Sequence, residues 1–134
     1  MAVALDSAAV VAFLDQDDAL HAAADAAIRK LIAANRFFAS AVTFAEVLTG
    51  VHMQHHDEGV VRGFFDDLVT EILPVEAVTA ERAARLRADH RSLRMPDALI
   101  LAAADDHPDV DVILTGDADF KSVRGLSCRV RLLR

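Results

Sequence analysis

The sequence predicts an α/β fold: a single-domain α/β/α sandwich around a mainly parallel sheet, spanning residues 1–134. Three observations predict it. Short β-type apolar runs alternate with longer stretches of helical spacing, the pattern of parallel sheets with right-handed crossovers. No internal repeat and no Pro/Gly/Ser-rich linker divides the chain. With 54% hydrophobic and 26% charged residues, the chain has the means to build a core without disulfides or a structural metal.

Taken in order, Val3–Leu5 is a short apolar run that ends at Asp6. A helix start follows over Ser7–Leu14, and Asp18–Ala34, rich in Ala, reads as a helix. Arg36–Ala39 is the second strand, followed by Ser40. Thr43–Met53 places Phe44, Val47, Leu48 and Val51 at helical spacing, and Glu58–Val69 is amphipathic. Ile72–Val75 reads as the third strand, with Pro74 marking its end or an edge. Ala80–His90 is a charged helix. Asp97–Asp105 is apolar almost all round and therefore a buried helix. Val110–Leu114 and Arg129–Leu132 complete the strands.

The formal net charge is −7, which taken alone argues against nucleic-acid binding, since basic surface supplies most of that affinity. Bound metal would weaken that objection by neutralising carboxylates. The charge is also uneven. Arg82, Arg85, Arg87, Arg91 and Arg94 form one basic stretch, and Arg124, Arg129, Arg131 and Arg134 another. Cys128 is the only cysteine, so no intrachain disulfide forms. The first residues lack a basic segment and meet Asp6 too early for a signal peptide, and no apolar run reaches membrane-span length. A cytoplasmic protein without membrane contact is the expectation.

Four acids fall where a parallel sheet binds its ligands, beyond the carboxyl ends of the strands. Asp6 follows the first strand and Glu46 lies in the first turn of the helix after the second. Asp97 opens the buried helix behind Pro96, and Asp117 follows the fourth strand in Thr115-Gly116-Asp117-Ala118-Asp119-Phe120. Clustered carboxylates suit a hard cation such as Mg²⁺ and otherwise repel one another. Each acid also has a structural reading. Asp6 caps a helix, Thr43-Phe44-Ala45-Glu46 fits a capping box, Asp97 is helix-start chemistry, and Asp117 and Asp119 suit a turn. From spacing alone both readings stand.

Leu5-Asp6-Ser7, Thr43-Phe44-Ala45-Glu46, Met95-Pro96-Asp97-Ala98-Leu99-Ile100-Leu101-Ala102-Ala103 and Thr115-Gly116-Asp117-Ala118-Asp119-Phe120 resemble, in order, the motifs of PIN-domain ribonucleases. They look most like the VapC-type toxins of VapBC toxin–antitoxin systems. The resemblance implies Mg²⁺ or Mn²⁺ and endonucleolytic cleavage of RNA, of the transfer or ribosomal class, by attack of a metal-activated water on the phosphodiester. It carries the catalytic and metal-binding roles onto Asp6, Glu46, Asp97 and Asp117. Asp119 is a fifth acid of variable role, and Ser7, Thr43 and Thr115 stand beside the acids as orienting groups. Gly116 departs from the pattern, which often has Asn there. A cognate VapB-type antitoxin and a homodimer are the implied partners. Arg82, Arg85, Arg91 and Arg94 are candidates for gripping RNA phosphates; their alternative is an ordinary solvated helix face.

Other features point elsewhere or nowhere. His52 and His56 are one helical turn apart, but no Cys or acid stands at zinc spacing beside them. Phe37-Phe38 and Phe64-Phe65 are core rather than base-stacking residues in a chain with no Trp or Tyr. A receiver-like Mg²⁺-binding signalling domain would need an acceptor Asp after the third strand, where Leu73-Pro74-Val75-Glu76 stands instead. A catalytically silent module of the same fold, binding RNA or protein, is the other alternative.

Overall fold

Ala2–Leu5 (β1) is buried at all four positions, as befits the central strand of a sheet covered on both faces. The computed structural model describes residues 1–134. After β1 come α1 (Ser7–Leu14), α2 (His21–Leu31), β2 (Arg36–Ser40), α3 (Ala41–His52) and α4 (Glu58–Asp67). They are followed by β3 (Val69–Leu73), α5 (Ala77–Asp89), α6 (Met95–Asp106), β4 (Val110–Thr115), a 3₁₀ turn (Ala118–Ser122) and β5 (Arg129–Leu132). The sheet order is β3-β2-β1-β4-β5, with every pairing parallel. From β1 the chain first builds outward through β2 and β3, then returns to add β4 and β5. The switch point therefore lies between β1 and β4, at the carboxyl ends that carry Asp6 and Thr115.

Two cores fill the layers. Ala2, Ala4, Phe38 and Ile113 pack under α5 and α6, with Ala98, Leu101 and Ala102 buried along α6. Val3, Leu5, Phe37, Ala39 and Leu114 face the other way, against α1, α2 and α4. Successive strand residues alternate between these faces, the period-two pattern of a pleated sheet.

Element boundaries differ from expectation for local chemical reasons. α2 is shorter than Asp18–Ala34. The Asp15 and Asp18 carboxylates accept the Asp17 and Leu20 backbone N–H groups at 2.9 and 2.8 Å, holding a turn ahead of the helix. α3 starts at Ala41 because the Ser40 hydroxyl caps it, accepting from the Thr43 N–H at 3.1 Å; Thr43 and Glu46 do not form the capping box. That device appears instead at Glu76 and Thr79, which start α5 three residues earlier than the apolar pattern suggests. The third strand runs Val69–Leu73 and not Ile72–Val75. Thr70, Glu71 and Ile72 are exposed on this edge strand, so it lacks a half-buried alternation, and Pro74 ends it. α6 begins at Met95, since Pro96 fits the first turn, where its missing N–H is not needed.

Candidate active site

Asp6 ends β1 and caps α1. One carboxylate oxygen, Oδ1, accepts the Ala9 N–H at 2.7 Å, and Oδ2 accepts the Thr115 hydroxyl across the switch point. The residue is 3% exposed. Burial pushes its carboxyl up to about 6, and the carboxylates of Asp97 and Asp117 push in the same direction, against the two hydrogen bonds.

Thr115 links two of the acids. While its hydroxyl donates to Asp6, it accepts the Asp117 N–H at 2.9 Å. Asp117 in turn accepts the Asp119 N–H at 2.9 Å through Oδ1 and caps the 3₁₀ turn. The Asp119 side chain is exposed and has no hydrogen-bond partner, so only its backbone helps order the loop. Gly116 sits against α1: a Cβ there would lie 3.0 Å from Leu20 Cδ1 and 3.1 Å from Ala8 Cβ. That crowding accounts for glycine where the family pattern has a larger residue.

Glu46, on the second turn of α3, is held by α1: the Ser7 hydroxyl donates to its Oε1 at 2.6 Å. Thr43 is buried, its hydroxyl 3.4 Å from that of Ser7. Asp97, in the first turn of α6, is 8% exposed and accepts from Arg94 Nε at 3.2 Å. Burial raises its carboxyl above the ordinary value; Arg94 opposes this, and the charges of Asp117 and Glu46 add to it. Arg94 is held above the usual guanidinium range, first by the hydrogen bond to Asp97 and then by its charge, with Glu46 and Asp117 contributing. Asp6, Glu46, Asp97 and Asp117 thus share one electrostatic neighbourhood at the carboxyl edge of the sheet. They do not yet form a closed ligand shell, since no three His, Cys, Asp or Glu side chains converge closely enough to hold a metal ion. The donor set is all oxygen, which matches Mg²⁺ or Mn²⁺ rather than zinc.

The arginines expected to grip RNA divide. Arg85 and Arg91 are exposed and enter no ion pair. Arg82 is committed internally: its Nη2 pairs with Asp105, whose side chain is fully buried, and its Nη1 lies 3.4 Å from Asp106. Asp105 also accepts the Ser127 and Cys128 N–H groups at 2.7 Å each, tying α6 to the segment before β5. Arg94 is exposed and pairs with Asp97 at 3.2 Å. Sequence reading passed over Asp105, since an Asp at the end of an apolar helix looks like an ordinary solvated terminus. The histidines gather no metal-binding partners; His56 packs its ring on the Cα of Gly50. Phe37, Phe38, Phe64 and Phe65 are buried in the two cores.

Comparison with known proteins gives the same architecture. VapBC2 from Rickettsia felis, solved bound to a promoter DNA fragment, superposes with a TM-score of 0.77 at 16% identity, covering 100% of both chains. VapC20 from Mycobacterium tuberculosis, described as a sarcin-ricin loop cleaving toxin, gives 0.70 at 19% identity over 95% of this chain and 98% of that one. VapBC-5 from the same organism gives 0.62 at 25% identity over 99% and 98%. No curated protein sequence matches the chain. The PIN-domain family model matches residues 3–126, the stretch that carries all four acids and the whole sheet up to β4, and the chain accordingly belongs to the PIN-domain family.

Proposed function

We propose that this chain is a Mg²⁺- or Mn²⁺-dependent endoribonuclease, the toxin of a VapBC-type pair, acting in the cytoplasm on transfer or ribosomal RNA. One observation supports the reading: carboxylates from four separate elements share one electrostatic neighbourhood at the sheet's carboxyl edge, where burial and mutual repulsion raise Asp6 and Asp97. A divalent ion bound there would lower the pKa of a water and offset charge on a phosphodiester. Asp6, Asp97 and Asp117 are the residues to hold it, with Glu46 completing the set. Thr115 and Ser7 orient Asp6 and Glu46 through their hydroxyls. Arg94 balances the acids' charge until a cation and substrate enter, then faces the RNA phosphate. The TM-scores against VapBC structures support an antitoxin of the VapB type as partner, and a homodimer is part of the same reading.

The open spacing of the acids favours one second reading, a silent module that binds RNA or protein without cleaving it. Incubation with structured RNA decides between them. Cleavage that needs Mg²⁺ or Mn²⁺, stops with chelator, and leaves 5′-phosphate and 3′-hydroxyl ends supports the nuclease. Cyclic 2′,3′-phosphate ends refute water attack, and undiminished cleavage by Asp97→Ala refutes the site.

A further inference from the structure

A groove of about 620 Å³ runs between α2 and β5, with Leu31 and Asn35 on one side and the edge strand on the other. A shallower extension continues over Ala27 and Lys30. Five cations reach it: Lys30 from α2, Lys121 from the 3₁₀ turn, and Arg129, Arg131 and Arg134 from the C-terminal segment. All five are exposed and none joins an ion pair. Asp111 is the only acid lining it. In a chain where Asp and Glu outnumber Lys and Arg by 21 to 14, such segregation is a strong local field. The arginines of α5 make no comparable surface, because Glu81, Asp89 and Asp106 are interleaved with them.

Guarding an open sheet edge would account for Arg129 and Arg131. It does not account for Lys30 and Lys121, which approach the same groove from other elements. The groove opens at the amino edge of the sheet, where Met1, Ala2 and Asp111 line it, and β5 carries it toward the edge that holds the acids. Leu132 pairs with Thr115, the Leu133 N–H donates to the Thr115 carbonyl at 2.8 Å, and Lys121 lies in the turn that Asp117 caps.

We infer that this groove holds the ribose–phosphate backbone of the RNA that the acids cleave, with its phosphates on Lys30, Lys121, Arg129, Arg131 and Arg134. The inference rests on the ribonuclease reading and adds the path the substrate takes. It explains how an acidic protein binds a polyanion: the basic track is segregated from a site whose own carboxylates need a metal. Phosphate contacts of this kind are independent of sequence and steeply salt-dependent.

Fluorescence anisotropy of a labelled single-stranded RNA, in chelator to prevent cleavage, tests this from about 50 to about 200 mM salt. Arg129→Gln with Arg131→Gln is expected to weaken binding about tenfold and to flatten the log–log salt slope by about 1.4, or 0.7 for each contact removed. Lys30→Gln with Lys121→Gln, on different elements, is expected to act in the same direction. Thermal unfolding confirms that both pairs fold. Wild-type affinity and slope in both pairs, alongside intact metal-dependent cleavage, overturns the groove and leaves the nuclease standing. Absence of RNA binding by the unaltered chain overturns the groove, and absence of metal-dependent cleavage as well overturns both. Variants that keep RNA affinity but lose binding to polyglutamate would make the groove a protein-docking surface, and would also overturn the assignment.

Discussion

The Asp6 carboxyl is held near 6 when folded, against 3.8 for the free side chain, so the folded protein binds a proton that the unfolded chain has released. The metal-free fold therefore loses stability as pH rises from about 4 to about 6, by up to about 3 kcal/mol, and the loss is complete above that window. Asp6→Asn removes the charge and keeps an oxygen for the Ala9 N–H. In chelator at pH 8 it is expected to raise the unfolding midpoint, and the gain should vanish near pH 4. The same variant should lose cleavage by at least about a hundredfold, since a site acid has been traded for stability. Gly116 makes a second residue-scale case. Gly116→Asn is expected to cost about 1–2 kcal/mol, because a Cβ there stands 3.0–3.1 Å from Leu20 and Ala8 and one of them must shift; adding Leu20→Ala should recover part of it, as read by chemical denaturation.

At the scale of elements, α6 works at both ends. Its first turn presents Asp97 to the site, and its last turn buries Asp105 beneath Arg82 and two backbone N–H groups of the segment leading to β5. Asp105→Ala would strand the Ser127 and Cys128 N–H groups and leave Arg82 without its buried partner. A loss of about 3–5 kcal/mol is expected in thermal or chemical unfolding. Cys128 gives an independent readout. Its thiol is pushed up to about 12, chiefly by burial and also by Asp105, so it should resist thiol reagents in the native protein and react in the variant. Sequence pattern located most elements because apolar periodicity is a local property. It failed at β3, whose exposed Thr70, Glu71 and Ile72 carry no alternation, and at the start of α5, where the signal was the Glu76–Thr79 pair instead of an apolar residue.

Across the whole molecule, the proposed function implies that metal and proton compete for one site. Divalent-ion affinity, measured by calorimetry, is expected to fall steadily as pH drops below about 6, where Asp6 takes up its proton, and to level off above it. Saturating Mg²⁺ should in turn raise the unfolding midpoint at pH 8 by relieving the repulsion among Asp6, Asp97 and Asp117, and Asp6→Asn should show less of that gain. An affinity independent of pH between 5 and 8 would place the binding elsewhere.

The sequence by itself determined the layered α/β fold and put Asp6, Glu46, Asp97 and Asp117 on one edge. Strand order and parallel crossovers send every strand's carboxyl end the same way, so acids at those positions become neighbours whatever lies between them. Only the tertiary structure decided which charges are free. Arg82 is committed to Asp105 and Arg94 pairs with Asp97, while the unpaired Arg129, Arg131 and Arg134 line a groove with few acids and the unpaired Arg85 of α5 stands among Glu81 and Asp89. It also decided where a proton rests on Asp6. Desolvation, and contacts such as Arg82–Asp105 and Thr115–Asp6, act through space between residues far apart in the chain, so no local pattern records them.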